Sequence, residues 1–153
     1  MTELMVSLIV RTESLTLPDL TAVLGFAPSR GHSRGHIPHG GRRKHFQTPL
    51  SHTSWILYSD EDVTAPLEVH LRMLAAALPP QDFQSLRAKL PADVRVEVIV
   101  GASYDGQAAY IEAVPASLAI VMAYGASLHV DAYQSGDEEN SAIKNAEAPS
   151  VES

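Results

Sequence analysis

The sequence predicts an α+β fold: a ferredoxin-like mixed sheet with helices on one face, in the order β-α-β-α-β-β-α-β. Three observations lead there. Short β-prone runs alternate with segments of helical spacing, a Gly-containing turn sits between two of the later strands, and proline marks the start of several helices. A chain of 153 residues with 45% apolar composition is long enough for one self-supporting core.

Met5–Val10 (MVSLIV) is an apolar, β-prone run and gives the first strand. Thr16-Leu17-Pro18-Asp19 opens a helix: Thr16 is a capping residue, Pro18 suits the first turn and Asp19 completes a capping box. Leu17, Leu20, Val23 and Leu24 follow at helical spacing, and Gly25 stops the helix. Residues 29–52 are rich in Gly and His, lack periodicity and read as a long loop. Ser54–Tyr58 resumes a strand. Leu67, His70, Leu71, Leu74 and Leu78 form one face of a second helix, which Pro79-Pro80 breaks. Phe83, Leu86 and Leu90 suggest another short helix. Val94, Val96, Val98 and Val100 alternate as a strand, Asp105-Gly106 is a hairpin signal, and Ala109–Val114 is the expected return strand. Pro115 starts the last helix, Gly125 ends it, and Leu128–Tyr133 is the final strand. The domain is expected to span residues 1–135, with 136–153 a disordered acidic tail. Leu20–Gly25 and Leu118–Gly125 echo one another loosely, as two half-units or as any two βα segments would.

Charge is distributed unevenly. The net charge is −7, yet residues 29–52 hold Arg30, Arg34, Arg42, Arg43 and Lys44 and no acid, for +5. Residues 137–153 sum to −4, and the remainder, with five bases and thirteen acids, to −8. An acidic protein of this kind is not a general nucleic-acid binder. No cysteine is present, which removes disulfides, thiolate metal sites and Cys nucleophiles. No apolar stretch nears the ~18 residues of a membrane span, and the acidic start Met1-Thr2-Glu3 lacks the basic opening of a secretory signal, so a cytoplasmic address is expected.

Several segments together resemble the bacterial DUF4279 family, a domain of unknown function. These are Leu24-Gly25-Phe26-Ala27-Pro28-Ser29, the strand from Trp55 to Ser59, and Leu67-Glu68-Val69-His70-Leu71 with Leu74 and Leu78. The closing Ala123-Tyr124-Gly125-Ala126 with Leu128-His129-Val130-Asp131-Ala132-Tyr133 is the most specific part. The resemblance covers residues 4–134. It implies a small bacterial αβ protein and brings no catalytic residues.

Within the basic segment, Arg30, Arg34, Arg42, Arg43 and Lys44 suit an anion or a protein partner, with Gly40-Gly41 allowing close backbone approach. The competing reading is a solvated loop without a specific partner. No phosphate-cradle motif occurs and interleaved aromatics are missing. His32, His36, His39 and His45 have the density of a metal site, but the neighbouring cations oppose a divalent ion and no group to orient the ligating imidazoles is evident. Trp55, Asp131 and Tyr133 are a candidate pocket on the sheet, against the alternative of a structural hydrogen-bonded cluster. His70 reads as a contact beneath the leucine face. No catalytic residue and no cofactor is assigned, since no nucleophile elbow or acid–base pair emerges.

The expectation is a non-enzymatic binding module for protein–protein recognition in a bacterial cytoplasm, of the immunity or regulatory type. Its acidic body would meet a basic partner surface while the basic loop sets orientation; homodimerisation through a sheet edge is a further option. The alternative is a small-ligand or metal-ion binding protein, or an enzyme, using the His/Arg-rich loop and the Trp55/Asp131/Tyr133 face.

Overall fold

A computed structural model describes residues 1–37 and 49–135. Strand β1 (Thr2–Thr12) is followed by α1 (Leu17–Leu24), β2 (Arg30–His32), β3 (Thr53–Tyr58), α2 (Leu67–Ala77), α3 (Pro80–Arg87), β4 (Arg95–Tyr104), α4 (Pro115–Ala123) and β5 (Ser127–Gln134). The five strands form one mixed sheet in the order β2-β3-β1-β4-β5. Pairing is antiparallel except for β4–β5, which is parallel. The class is α+β, as predicted.

The period-two pattern of β1 and β4 decides which face is buried. Leu4, Val6, Leu8 and Val10 point one way with Trp55, Leu57, Val96, Val98, Val100 and Ala102. All of them join one core with Leu20 and Leu24 of α1, Leu67, Leu71 and Leu74 of α2, Phe83 of α3 and Val121 of α4. The helices therefore cover a single face. The other face, carrying Met5, Ile9, Arg11, Ile56, Tyr58, Glu97, Ile99 and Tyr133 by register, has no helix over it among the described residues.

Local chemistry explains the helix ends. Thr16 is the N-cap of α1 and its side chain accepts from the Asp19 amide at 3.3 Å, while Gly25 closes the helix in the left-handed region at φ 67°. Gly125 ends α4 at φ 63°, and there the requirement for glycine is double. A Cβ would also meet Arg87 Nη1 at 2.3 Å. That guanidinium donates to the Tyr124 and Gly125 carbonyls, and Gln84 Nε2 donates to the Ala123 carbonyl, so α3 supplies the donors that the end of α4 lacks. At the opposite end, the Asp93 carboxylate accepts from the Glu13 amide, the Ser14 hydroxyl and the Thr12 hydroxyl, tying the end of β1 to the start of β4. The Glu13 amide is the main reason its pKa lies below the ordinary carboxylate value.

The ferredoxin-like order of elements is corrected in two places. Residues 109–114 form no strand. Parallel pairing with β5, reached through the α4 crossover, takes the edge of β4 that a hairpin return would have needed, and Ile111 packs on the core instead. Asp105-Gly106 still turns the chain, with Gly106 at φ 106°. The second correction lies in the expected long loop of 29–52, where Arg30–His32 pairs with β3 as an additional strand. Gly31 permits this close approach, since a Cβ there would lie 2.6 Å from the Ser54 carbonyl oxygen. Residues 38–48 of that loop and the acidic tail 136–153 lie outside the described residues.

Tyr124 is buried beside Phe83, ring centroids 5.7 Å apart in an edge-on arrangement, and its hydroxyl donates to the Leu78 carbonyl at 2.5 Å. Burial raises its pKa. Tyr124→Phe keeps the ring contact but leaves a buried carbonyl without its donor. The expected cost is about 1–3 kcal/mol, read as a lower urea midpoint at unchanged m-value.

Candidate functional site

Three features of the uncovered side of the molecule are available for recognition, and each follows from the strand order. The first is the β5 edge. Because β5 pairs only with β4 among the described residues, one row of its backbone donors and acceptors has no described strand beside it. Ser127–Gln134 holds no proline and no lysine, and its register with β4 runs unbroken from Glu97↔Ser127 to Tyr104↔Gln134. Val130 and Tyr133 are 52% and 51% exposed, on opposite faces of the strand.

The second feature is the bare sheet face. Its centre is apolar and close-packed, with Ile9 buried between Ile56 and Glu97, while Met5 at the far end is 60% exposed. Asp131 and Glu3 lie toward that end, and Arg11 and Arg95 face one another at the other, so the face is polarised along its strands.

The third is a basic corner at the arginine end. One register row brings His32 of β2, Ser54 of β3, Arg11 of β1 and Arg95 of β4 to the same face. Arg11 Nη1 pairs with Glu97 Oε2 at 3.0 Å. His52 Nε2 lies 3.0 Å from Arg95 Nη2 and 3.1 Å from Glu13 Oε1, and Ser51 Oγ lies 2.7 Å from His52 Nδ1. The His32 pKa is below its ordinary value, through burial first and then the nearby Arg30, His36 and Arg11.

The predicted site residues are only partly brought together. Arg30 is exposed on the bare face at the β2 edge. Arg34 is anchored instead: its amide donates to Thr53 Oγ1 at 2.9 Å and its guanidinium to the Glu13 carbonyl at 3.1 Å. The rings of His32 and His36 stack with centroids 6.5 Å apart. Arg42, Arg43, Lys44, His39 and His45 lie outside the described residues. Among the described residues no group of three or more His, Asp or Glu is arranged to hold a metal ion.

The Trp55–Asp131–Tyr133 pocket does not form. Trp55 is fully buried on the helix-covered face, where its Nε1 donates to the Phe26 carbonyl at 3.1 Å. Asp131 and Tyr133 lie on β5 on the opposite face of the sheet, with β1 and β4 in between. Alternation places a residue within its own strand, whereas strand order and parity decide whether two strands share a face.

Sequence reasoning missed a Ser59–His70 pair. The Ser59 hydroxyl at the end of β3 hydrogen-bonds His70 Nδ1, and His70 is 1% exposed on the leucine face of α2. Among the described residues no carboxylate is hydrogen-bonded to its Nε2. The pair links α2 to the sheet. Arg11, His52 and Arg95 were also missed as a group, because they come from three distant parts of the chain. A cleft of about 210 Å³ between Thr2, Leu4, Thr64, Leu67 and Tyr110 at the other end of β1 has Glu112 as its single titratable acid.

Among the described residues these features define a small single-sheet α+β protein with helices on one side, one sheet face without a helix and one edge without a neighbouring strand. The chain belongs to the family described as Domain of unknown function (DUF4279), whose model matches residues 2–135. No curated protein and no solved structure matches it. No helix among the described residues is long and apolar enough to cross a membrane.

Burial holds the His70 pKa below its ordinary value despite the nearby Glu61 and Asp62. The unfolded chain therefore binds the proton more readily than the folded one. The stability from this histidine is present above the ordinary His pKa of about 6.5 and is lost as pH falls below it. The urea midpoint should drop between pH 7.5 and pH 5.5, and His70→Leu should flatten that drop; an equally steep profile in the variant would contradict the assignment.

Proposed function

We propose that this protein is a non-enzymatic binding module that recognises another protein by accepting an extended segment of it along β5. The observation that carries this reading is the β5 edge, which no described element covers. Natural sheets usually blunt such an edge with proline, lysine, a bulge or a covering element. Here eight residues of uninterrupted strand carry no proline and no lysine, Asp131 is their one charged side chain, and Val130 and Tyr133 offer one apolar or aromatic contact on each face. Strand addition draws affinity from main-chain hydrogen bonds and specificity from alternate side chains, and this edge provides both.

The bare sheet face beside β5 leaves room for the partner's remaining surface. Its polarity, acidic toward Glu3 and Asp131 and basic toward Arg11 and Arg95, would fix the orientation of docking. The biological form proposed is an immunity-type or regulatory partner protein of a bacterial cytoplasm. A contact surface on the partner rich in basic residues would suit the acidic bulk of the chain, which carries −7 overall.

The double variant Val130→Lys/Tyr133→Lys places two charges on the edge without touching the core. It should keep the wild-type circular dichroism and lose partner capture by about tenfold or more, as expected when edge hydrogen bonds are lost. In the wild-type complex, amide exchange of 127–134 should slow. Undiminished capture with unprotected β5 amides would exclude the edge. A chain that sediments as a dimer, and becomes monomeric in the double variant, would instead assign the edge to a second copy.

A further inference from the structure

The basic corner carries an inference independent of the β5 edge. We propose that the cleft at the Arg11–Arg95 end of the bare sheet face binds a small oxyanion, a phosphate or a carboxylate. The cleft measures about 240 Å³ and is lined by Arg11, His32, Leu50, Ser51, His52 and Ser54. That is below the ~300–1,000 Å³ of pockets that hold drug-sized ligands, and it suits one anionic group better than a nucleotide.

The strongest argument is the register. Arg11 and Arg95 stand directly opposite one another on neighbouring strands. Like charges in that relation destabilise a sheet unless something compensates them. Arg11 has Glu97 as its carboxylate partner, whereas Arg95 meets a histidine ring nitrogen, which is a poor substitute for an anion. Arg30 adds a further cation one row away, and Glu13 and Glu97 are the acids facing the group. Among the described residues, Arg95 is the cation of this corner whose side-chain partner is an imidazole and not a carboxylate, while Asp93 is engaged by the Glu13 amide and the Thr12 and Ser14 hydroxyls.

The donors are also aligned. Four adjacent strands contribute His32, Ser54, Arg11 and Arg95 in one row, a spacing of about 4.8 Å per strand. Ser51 and His52 approach from the segment before β3, which is fixed at its base by paired hydrogen bonds: the Gly35 amide to the Leu50 carbonyl at 2.8 Å and the Leu50 amide to the His36 carbonyl at 2.9 Å. A guanidinium, hydroxyls and imidazoles around a small concavity are the set that recognises an oxyanion. The donors sit on strands and on a fixed loop base, so little ordering remains to oppose binding.

The test is titration of the full chain with inorganic phosphate at constant ionic strength, following the His32 and His52 ring resonances, with chloride as control and acetate as a second arm. Saturable shifts above the chloride response are expected. Arg95→Gln should weaken binding severalfold, because it removes the cation 3.0 Å from His52 at the rim of the cleft. Arg72→Gln, on the exposed side of α2, should leave it unchanged. Tighter binding of phosphate than acetate assigns the site to phosphate groups, and the reverse assigns it to carboxylates. Shifts no larger than those of chloride, or equal weakening by Arg95→Gln and Arg72→Gln, would overturn the proposal. Arg95 is exposed, so its variant keeps the test valid even where Arg11→Gln fails to fold.

Discussion

The structure depends on the pairing of β1 along both of its edges. β3 and β4 lie antiparallel on either side, and the strand's inward residues Leu4, Val6, Leu8 and Val10 are almost wholly buried. Such a strand must satisfy two hydrogen-bond ladders while filling the core beneath four helices. Its neighbours consequently have fixed register and fixed parity. Every property of the bare face, from the buried Ile9 to the opposed Arg11 and Arg95, is set by where β1 places its partners.

The helix layer works as a clamp on that sheet. α3 contributes little to the sheet directly, yet it places Phe83 against Tyr124 and gives Gln84 and Arg87 to the last carbonyls of α4. α4 is the crossover that makes β4–β5 parallel, so the position of the open edge depends on contacts made on the far side of the sheet. Edge and clamp are thereby joined, although no residue of α3 is near the exposed side of β5.

Much of this was legible in the sequence, and the reasons differ by element. Thr16, Pro18 and Gly25 act within one helix, so their meaning survives without tertiary knowledge. The alternating valines of β4 and the leucine face of α2 were equally readable, because each periodicity identifies a buried side by itself. Asp105-Gly106 was different: the turn exists, but a turn signal does not say whether the following chain pairs back or leaves for a crossover. β2 has three residues, too few to show a period, and depends on Gly31 fitting beneath Ser54. For the site, Arg30 and His32 were found because they sit in a dense basic run. Arg11, His52 and Arg95 were not, since only the pairing of β1 with both β3 and β4 unites them. Trp55 was assigned to the wrong face because its strand's parity relative to β5 is a property of the whole sheet.

The central place of β1 also bears on how the chain is made. Its best partner, β4, begins at Arg95, so during synthesis an apolar strand near the start of the chain waits for roughly ninety further residues. At about 5–20 residues per second, that wait is on the order of 5–20 s. In that interval β3 is the one long strand β1 can meet, as a half-formed pair with its β4 side still open. The nascent protein therefore carries, for seconds, an exposed aggregation-prone edge that the finished fold conceals completely, and a demand for chaperone protection that its final surface does not advertise.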